Sequence, residues 1–288
     1  MTLRIRTIAR LTGIREATLR AWERRYGFPR PHRSENNYRV YGREEVEGVR
    51  RVARLIEEGL SASEAIAQVR TTPLRTLPVR EQLAERFWSA VAVMDAEGAE
   101  AVLEEGLSGM DALAACDEVL MPLLREMSSR LDVAREHLAS ALIRTRLRAL
   151  LHAEAGPRAP AGPRAVLACA PLDHHEGGLL ALALHLKREG WRLTLLGADT
   201  PAEALRSACA QLHPDVVALS CVRRRDAEEL LPLLQAAVAA CSPVPVVVGG
   251  PAAREQLRAV FAAGAQYADS AGELRALLPQ LRAAHPQP

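Results

Sequence analysis

No uninterrupted apolar run in the 288-residue chain approaches the ~18 residues that a membrane span needs. Met1 to Arg10 carries three Arg with no apolar signal core behind them, so the expected location is the cytoplasm, with no membrane partner. Cysteine is scarce. The five residues Cys116, Cys169, Cys209, Cys221 and Cys241 are scattered and never spaced Cys-x-x-Cys, which excludes a thiolate zinc site and suits small core residues in a reducing compartment. A Gly-x-Ser-x-Gly turn around a nucleophile is also missing. Gly249-Gly250-Pro251 lacks the Lys-Ser/Thr that follows a phosphate loop. No enzymatic centre is expected.

What is present is unevenly distributed. Residues 1–80 hold 17 Arg against 9 Asp plus Glu, a balance of +8, while the remaining 208 hold 20 basic and 26 acidic residues, a balance of −6. A basic end on an otherwise acidic protein points to a polyanionic partner for that end. Breaker-rich stretches at Thr71 to Pro78 and Gly156 to Pro163 divide the chain into segments 1–72, 78–156 and 163–284.

In the first segment Thr7 is expected to cap a short helix from Ile8 to Leu11, and Gly13 to turn the chain into a second helix from Arg15 to Tyr26, with Leu19 and Trp22 facing inward. Phe28 to Asn37 is rich in turn formers, and Tyr38 to Tyr41 alternates like a short strand, which makes a wing. Helices follow from Arg43 to Glu58 and, capped by Ser61 or Ser63, through Val69. The second segment, with apolar residues from Phe87 and Met94 to Leu142 and Leu147 at helical spacing, reads as a four-helix bundle. The third alternates β-branched runs with amphipathic helices: strands Ala165–Cys169, Arg192–Leu196, Asp215–Leu219 and Val244–Val248, with a fifth near Tyr267. The expected fold class is therefore multidomain, α and α/β: a winged helix-turn-helix, a four-helix bundle and a Rossmann-like, flavodoxin-like domain whose ligand sits at the carboxyl ends of the strands.

Two constellations carry chemistry. Arg15, Thr18, Arg20, Arg24 and Arg25 on the second helix suit the major groove, because guanidinium forks match phosphate oxygens and the guanine edge. The wing adds Arg33 and Arg39. Beyond the first strand of the third segment, Asp173-x-His175-x-x-Gly178 lets a carboxylate orient an imidazole two residues on and opens the helix start. One His cannot hold a bare zinc or iron, which wants three or four protein ligands, whereas a macrocycle that brings four nitrogens needs only one more.

Thr18 to Pro29 followed by Tyr38-Arg39-Val40-Tyr41 resembles the DNA-binding domain of the MerR family. That resemblance implies a winged helix-turn-helix acting as a homo-oligomer, dimer or tetramer, on double-stranded promoter DNA, with Arg15, Thr18, Arg20, Trp22, Arg33, Asn36, Tyr38, Arg39 and Tyr41 on its interface. Asp173-x-His175-x-x-Gly178, Ser220-x-Val222 and Gly249-Gly250 resemble the cobalamin-binding domain. By that resemblance His175 is the lower cobalt ligand, Asp173 its orienter, Ser220, Gly249 and Gly250 line the site of the displaced nucleotide tail, and Gly178 and Val222 complete the cofactor-binding set. Arg223-Arg224-Arg225 either touches the tail phosphate or is solvated.

The three segments in this order resemble the CarH/LitR/CarA-like light-responsive repressors, which implies adenosylcobalamin as the cofactor and a helical cap over its upper face. In the cap those regulators show Trp, nine residues, then Glu-His. Here Glu136-His137 is present, but counting back places Glu126 at the Trp position and Met127 at the adjoining His position, and no Trp or His lies from Leu120 to Arg135. The upper-face set would then be Glu126, Met127, Val133, Glu136 and His137, and the usual light chemistry is in question. The alternative is a MerR-like regulator that has given up cobalamin for another ligand, chromophore or partner protein. A cobalamin enzyme would have no use for Thr18 to Tyr41.

Overall fold

The computed structural model describes residues 3–33, 39–57, 59–71, 79–130, 132–155 and 162–284. By its contacts the chain divides into two compact units, one of 1–108 with 131–139 and one of 109–130 with 140–288.

The first unit opens with α1 (Ile5–Thr12) and α2 (Glu16–Tyr26), separated by Gly13 in the left-handed conformation at φ 70°. The first helix begins earlier than the sequence suggests. Thr7 lies inside it and caps nothing, because Ile5 and Ile8 both turn toward the core and extend the helical phase back by most of a turn. The wing pairs β1 (His32–Arg33) with β2 (Arg39–Val40) antiparallel, so its first strand comes out of the stretch that reads as turn formers. Leu3 bridges Tyr41 and closes the sheet against the helices. Next come α3 (Arg43–Glu57) and α4 (Ala62–Thr71). The α4 start is a reciprocal capping box: the Glu64 N–H donates to the Ser61 hydroxyl while the Ser61 N–H donates to the Glu64 carboxylate. Ile8, Leu19, Trp22, Tyr41, Val46, Val49, Val52 and Ile66 share one core. Then α5 (Val79–Ala92) packs on α6 (Ala96–Leu107), with Phe87 and Trp88 edge to face at 5.0 Å. Met94, expected inside the bundle, is instead 52 % exposed, in the turn after α5.

In the second unit α7 (Ala112–Ala115), a single π turn (Cys116–Leu120) and α8 (Met121–Arg130) follow one another. The long α9 (Val133–Ala153) supplies its first residues to the first unit and the remainder to the second. The sheet comprises β3 (Arg164–Cys169), β4 (Arg192–Gly197), β5 (Val216–Ser220), β6 (Val246–Gly249) and β7 (Gln266–Tyr267). All neighbours are parallel, in the order β4-β3-β5-β6-β7. That is the flavodoxin-like 2-1-3-4-5 order, with its switch point where the connections leave β3 in opposite directions. The connecting helices are α10 (Gly177–Arg188), α11 (Ala202–Leu212), α12 (Ala227–Cys241), α13 (Pro251–Glu255), α14 (Leu257–Ala262) and α15 (Ala271–Ala284). Val166, Val217, Leu219 and Val248 face one core and Leu167, Val216, Ala218 and Val247 the other, so both faces of the sheet are covered and its strands are apolar nearly throughout. Among the described residues no helix is long and apolar enough to cross a membrane.

Candidate functional site

The register of the sheet sets Cys169 beside Ser220 and Ser220 beside Gly249, so the segments that leave β3, β5 and β6 emerge side by side. In the β3 loop Asp173 is fully buried and its carboxylate is saturated. One oxygen accepts from the Val222 N–H at 2.6 Å and the Arg223 N–H at 2.9 Å. The other accepts from the His175 N–H at 3.1 Å and meets the His175 ring Nδ1 at 2.8 Å. Burial by itself would raise the Asp173 pKa. The hydrogen bonds from the His175 ring and from the Arg223, Val222 and His175 amides more than offset it and hold the group at about 2.

Because that carboxylate is ionised at neutral pH, Nδ1 must carry the hydrogen it shares with Asp173, and a neutral ring is then basic at Nε2. The ring is 54 % exposed. Among the described residues no three His, Cys, Asp or Glu converge to hold a bare ion. This donor set suits a metal that arrives with its other ligands already in place, so the residues fit a corrinoid.

The loop is braced from other quarters that sequence reasoning missed. The Leu172 N–H donates to Asp199 at 2.6 Å, and the Asp199 N–H returns to the Asp173 carbonyl at 2.9 Å. From α9, Arg144 donates to the His174 carbonyl at 3.3 Å and Arg148 to the Glu176 carboxylate at 2.7 Å. No local spacing signals those contacts, since the partners lie 30 and 28 residues apart.

The glycines divide differently from expectation. A Cβ on Gly178 would meet nothing within 4 Å, so that position faces open space. On the neighbouring Gly177, not singled out from the sequence, it would lie 2.5 Å from the Leu124 side chain of α8. Gly249 and Gly250 are closed by backbone: their Cβ positions fall 2.5 Å from the Ala268 and Cys221 carbonyls respectively. Packing alone requires glycine there. Ser220, Val222, Gly249 and Gly250 all remain partly exposed at the strand ends.

Glu126 and Met127 lie on α8 in the second unit, whereas Val133, Glu136 and His137 belong to the part of α9 in the first. Met127 is 7 % exposed and Val133 71 %.

In the helix-turn-helix, Arg15 just before α2 and Arg20 within it are exposed, Thr18 is half-buried, and Arg39 donates from the wing to Glu23 of α2 at 3.1 Å. Trp22 and Tyr41, which the family resemblance put at the interface, are corrected to core residues at 7 % and 0 % exposure, in keeping with the inward phase expected for Trp22 from the helix pattern. The inward phase of Leu19 and Trp22 along α2, and the Leu3 bridge over Tyr41, turn both rings away from any surface. Arg33 lies in β1, while Asn36 and Tyr38 fall outside the described residues.

Comparison with known proteins agrees with this division of labour. Residues 3–70 match the family profile of the MerR HTH family regulatory proteins, and residues 83–151 and 163–278 match two B12 binding domain profiles. The chain is similar to the monomethylamine corrinoid protein of Methanosarcina barkeri, with a TM-score of 0.54 and 14 % identity over 70 % of this chain and 99 % of that one, which shows the fold alone. A MerR-type head joined to B12-binding segments defines the class. The chain is 66 % identical to the HTH-type transcriptional repressor CarA of Myxococcus xanthus, covering 100 % of both chains. It is 40 % identical to the HTH-type transcriptional repressor CarH of the same organism, over 88 % of this chain and 90 % of that one. The chain belongs to this CarA/CarH family of MerR-headed repressors.

Proposed function

We propose that the protein is a transcription repressor, and not an enzyme, that holds promoter DNA through its winged helix-turn-helix and is controlled by a cobalamin ligated through His175. The observation that carries the reading is the Asp173–His175 pair at the carboxyl end of the sheet, a half-exposed imidazole held in one tautomer by a buried carboxylate. Cobalamin would supply a cobalt centre that needs little from the protein beyond one donor. His175 Nε2 would be that donor, with Asp173 keeping Nδ1 protonated and the ring in place, and the partly exposed Ser220, Val222, Gly249 and Gly250 would border the cofactor. Arg144 and Arg148 tie the loop to α9 within the second unit, so a change at His175 reaches that helix. Control acts through assembly of a homo-oligomer, dimer or tetramer: joined heads raise effective concentration on adjacent half-sites. A promoter-binding role is in keeping with the cytoplasm expected from the sequence.

Adenosylcobalamin and a light response form the finer part of the reading. One observation favours the alternative, a regulator that answers to another ligand or partner: Glu126 and Met127 bring no indole or imidazole, and the Met127 thioether is packed inside. One experiment separates them. Purified protein is mixed with hydroxocobalamin or adenosylcobalamin, in darkness and under green light, while absorbance and elution volume are followed together. Uptake with a histidine-ligated spectrum, lost in His175→Ala, is the expected result. Absence of uptake, or repression indifferent to His175→Ala, sinks the cobalamin reading. A light-insensitive adenosylcobalamin complex removes only the light response.

A further inference from the structure

The loop after β5 carries three consecutive arginines, and the structure separates them. Arg224 is 86 % exposed and pairs with Glu255 at 3.3 Å. Arg223 is exposed and gives its backbone N–H to Asp173. Arg225 differs from both, being only 7 % exposed. Its Nη2 donates to the Pro171 carbonyl, in the loop that carries Asp173 and His175. Its Nη1 is shut off from solvent and meets no acceptor. Among the described residues no carboxylate pairs with this guanidinium, and Asp173 is already committed to His175 and two amides.

Arginine cannot shed its proton, and a buried charge with one neutral acceptor is costly to keep. The group also sits where a ligand is expected. Pro171 is two residues before Asp173, and Arg225 is three beyond Val222, whose amide binds the same carboxylate.

We infer that Arg225 is an anion-binding residue for a phosphate diester at the carboxyl end of the sheet. Resting on the cobalamin reading, that diester is the one in the displaced nucleotide tail. A guanidinium offers phosphate a planar fork of donors, and Nη1 is the part of the fork not yet used. Nη1 is closed from solvent, so a phosphate reaches it only by displacing the side chains that cover it.

The test compares two corrinoids in the dark: hydroxocobalamin, with the phosphate-bearing tail, and diaquocobinamide, which lacks it. Each is titrated into wild type, Arg225→Met and Arg225→Lys, with inorganic phosphate as a competitor. The expected result is an affinity loss of about tenfold or more for cobalamin in Arg225→Met, as removal of a charge-assisted hydrogen bond predicts, with cobinamide binding unchanged and Arg225→Lys intermediate. Phosphate is expected to weaken cobalamin but not cobinamide binding to the wild type, a measurement that holds even if Arg225→Met fails to fold. Equal losses for both corrinoids would assign Arg225 only to bracing Pro171 and overturn the inference while leaving the cobalamin reading intact. Uptake of neither corrinoid by the wild type overturns both. Phosphate that raises the wild-type Tm without affecting either corrinoid would make this a free-phosphate site and overturn the tail assignment.

Discussion

Asp173 decides what His175 can do, and it does so from a position with no solvent exposure. Its pKa is held at about 2, against an ordinary 3.8, because its hydrogen bonds outweigh its burial. A depressed carboxylate adds stability that is fully present above the unfolded-state pKa and is lost as pH falls through the folded one. Replacing it with an amide, Asp173→Asn, should therefore cost about 2 kcal/mol at neutral pH. The gap from wild type should narrow between about pH 4 and pH 2. Urea unfolding at a series of pH values checks this, and a gap that stays constant to pH 2 would mean the charge is not what stabilises the loop. The local half of the arrangement was legible in the sequence, because two residues of separation bring carboxylate and ring together. Its other half was not, since the Val222 and Arg223 amides come from 49 and 50 residues away. Trp22 and Tyr41 show the opposite limit, where a motif names residues without telling support from contact.

Among the elements, α10 is positioned at its first turn by contact with α8. Gly177 leaves room for Leu124, and a methyl there would sit 2.5 Å from the leucine's terminal carbon. Gly177→Ala is expected to destabilise the fold by about 1 to 3 kcal/mol through overpacking. In a Leu124→Ala background the added methyl should cost little, giving a coupling of about 1 kcal/mol or more in a double-mutant cycle. Additive effects would show that the two side chains do not meet. The strands were readable because β-branched runs bounded by breakers leave little choice of conformation. Their order required the structure, as did the π turn between α7 and α8, since hydrophobic periodicity says nothing about neighbours. The first wing strand was hidden for a related reason: its two residues are extended because they pair with β2, not because His32 and Arg33 favour a strand.

Across the whole molecule, charge is divided between a basic head and an acidic remainder, +8 over residues 1–80 and −6 over the rest. That division predicts behaviour on DNA that packing does not. Arg15 at the N-terminal end of α2 and Arg20 within it are exposed, while Arg39 of the wing is fixed to the same helix through Glu23, so helix and wing present their cations from one packed core. Each phosphate they neutralise releases condensed counterions, and a pair of heads making at least ~6 such contacts should lose about a thousandfold in affinity between 50 and 200 mM salt. Arg20→Ala and Arg39→Ala should each make the log–log slope shallower by about 1 per head if they contact phosphate. If Arg39 instead only tethers the wing to Glu23, its removal should weaken binding without changing the slope. Trp22→Ala belongs to a third class, because a buried ring that fills the core should lower Tm and DNA affinity together while leaving the slope of the surviving folded fraction as it was. Fluorescence anisotropy over a salt series, with Tm measured on the same variants, distinguishes the three, and a flat salt response in the wild type would remove the Arg–phosphate account of the head altogether.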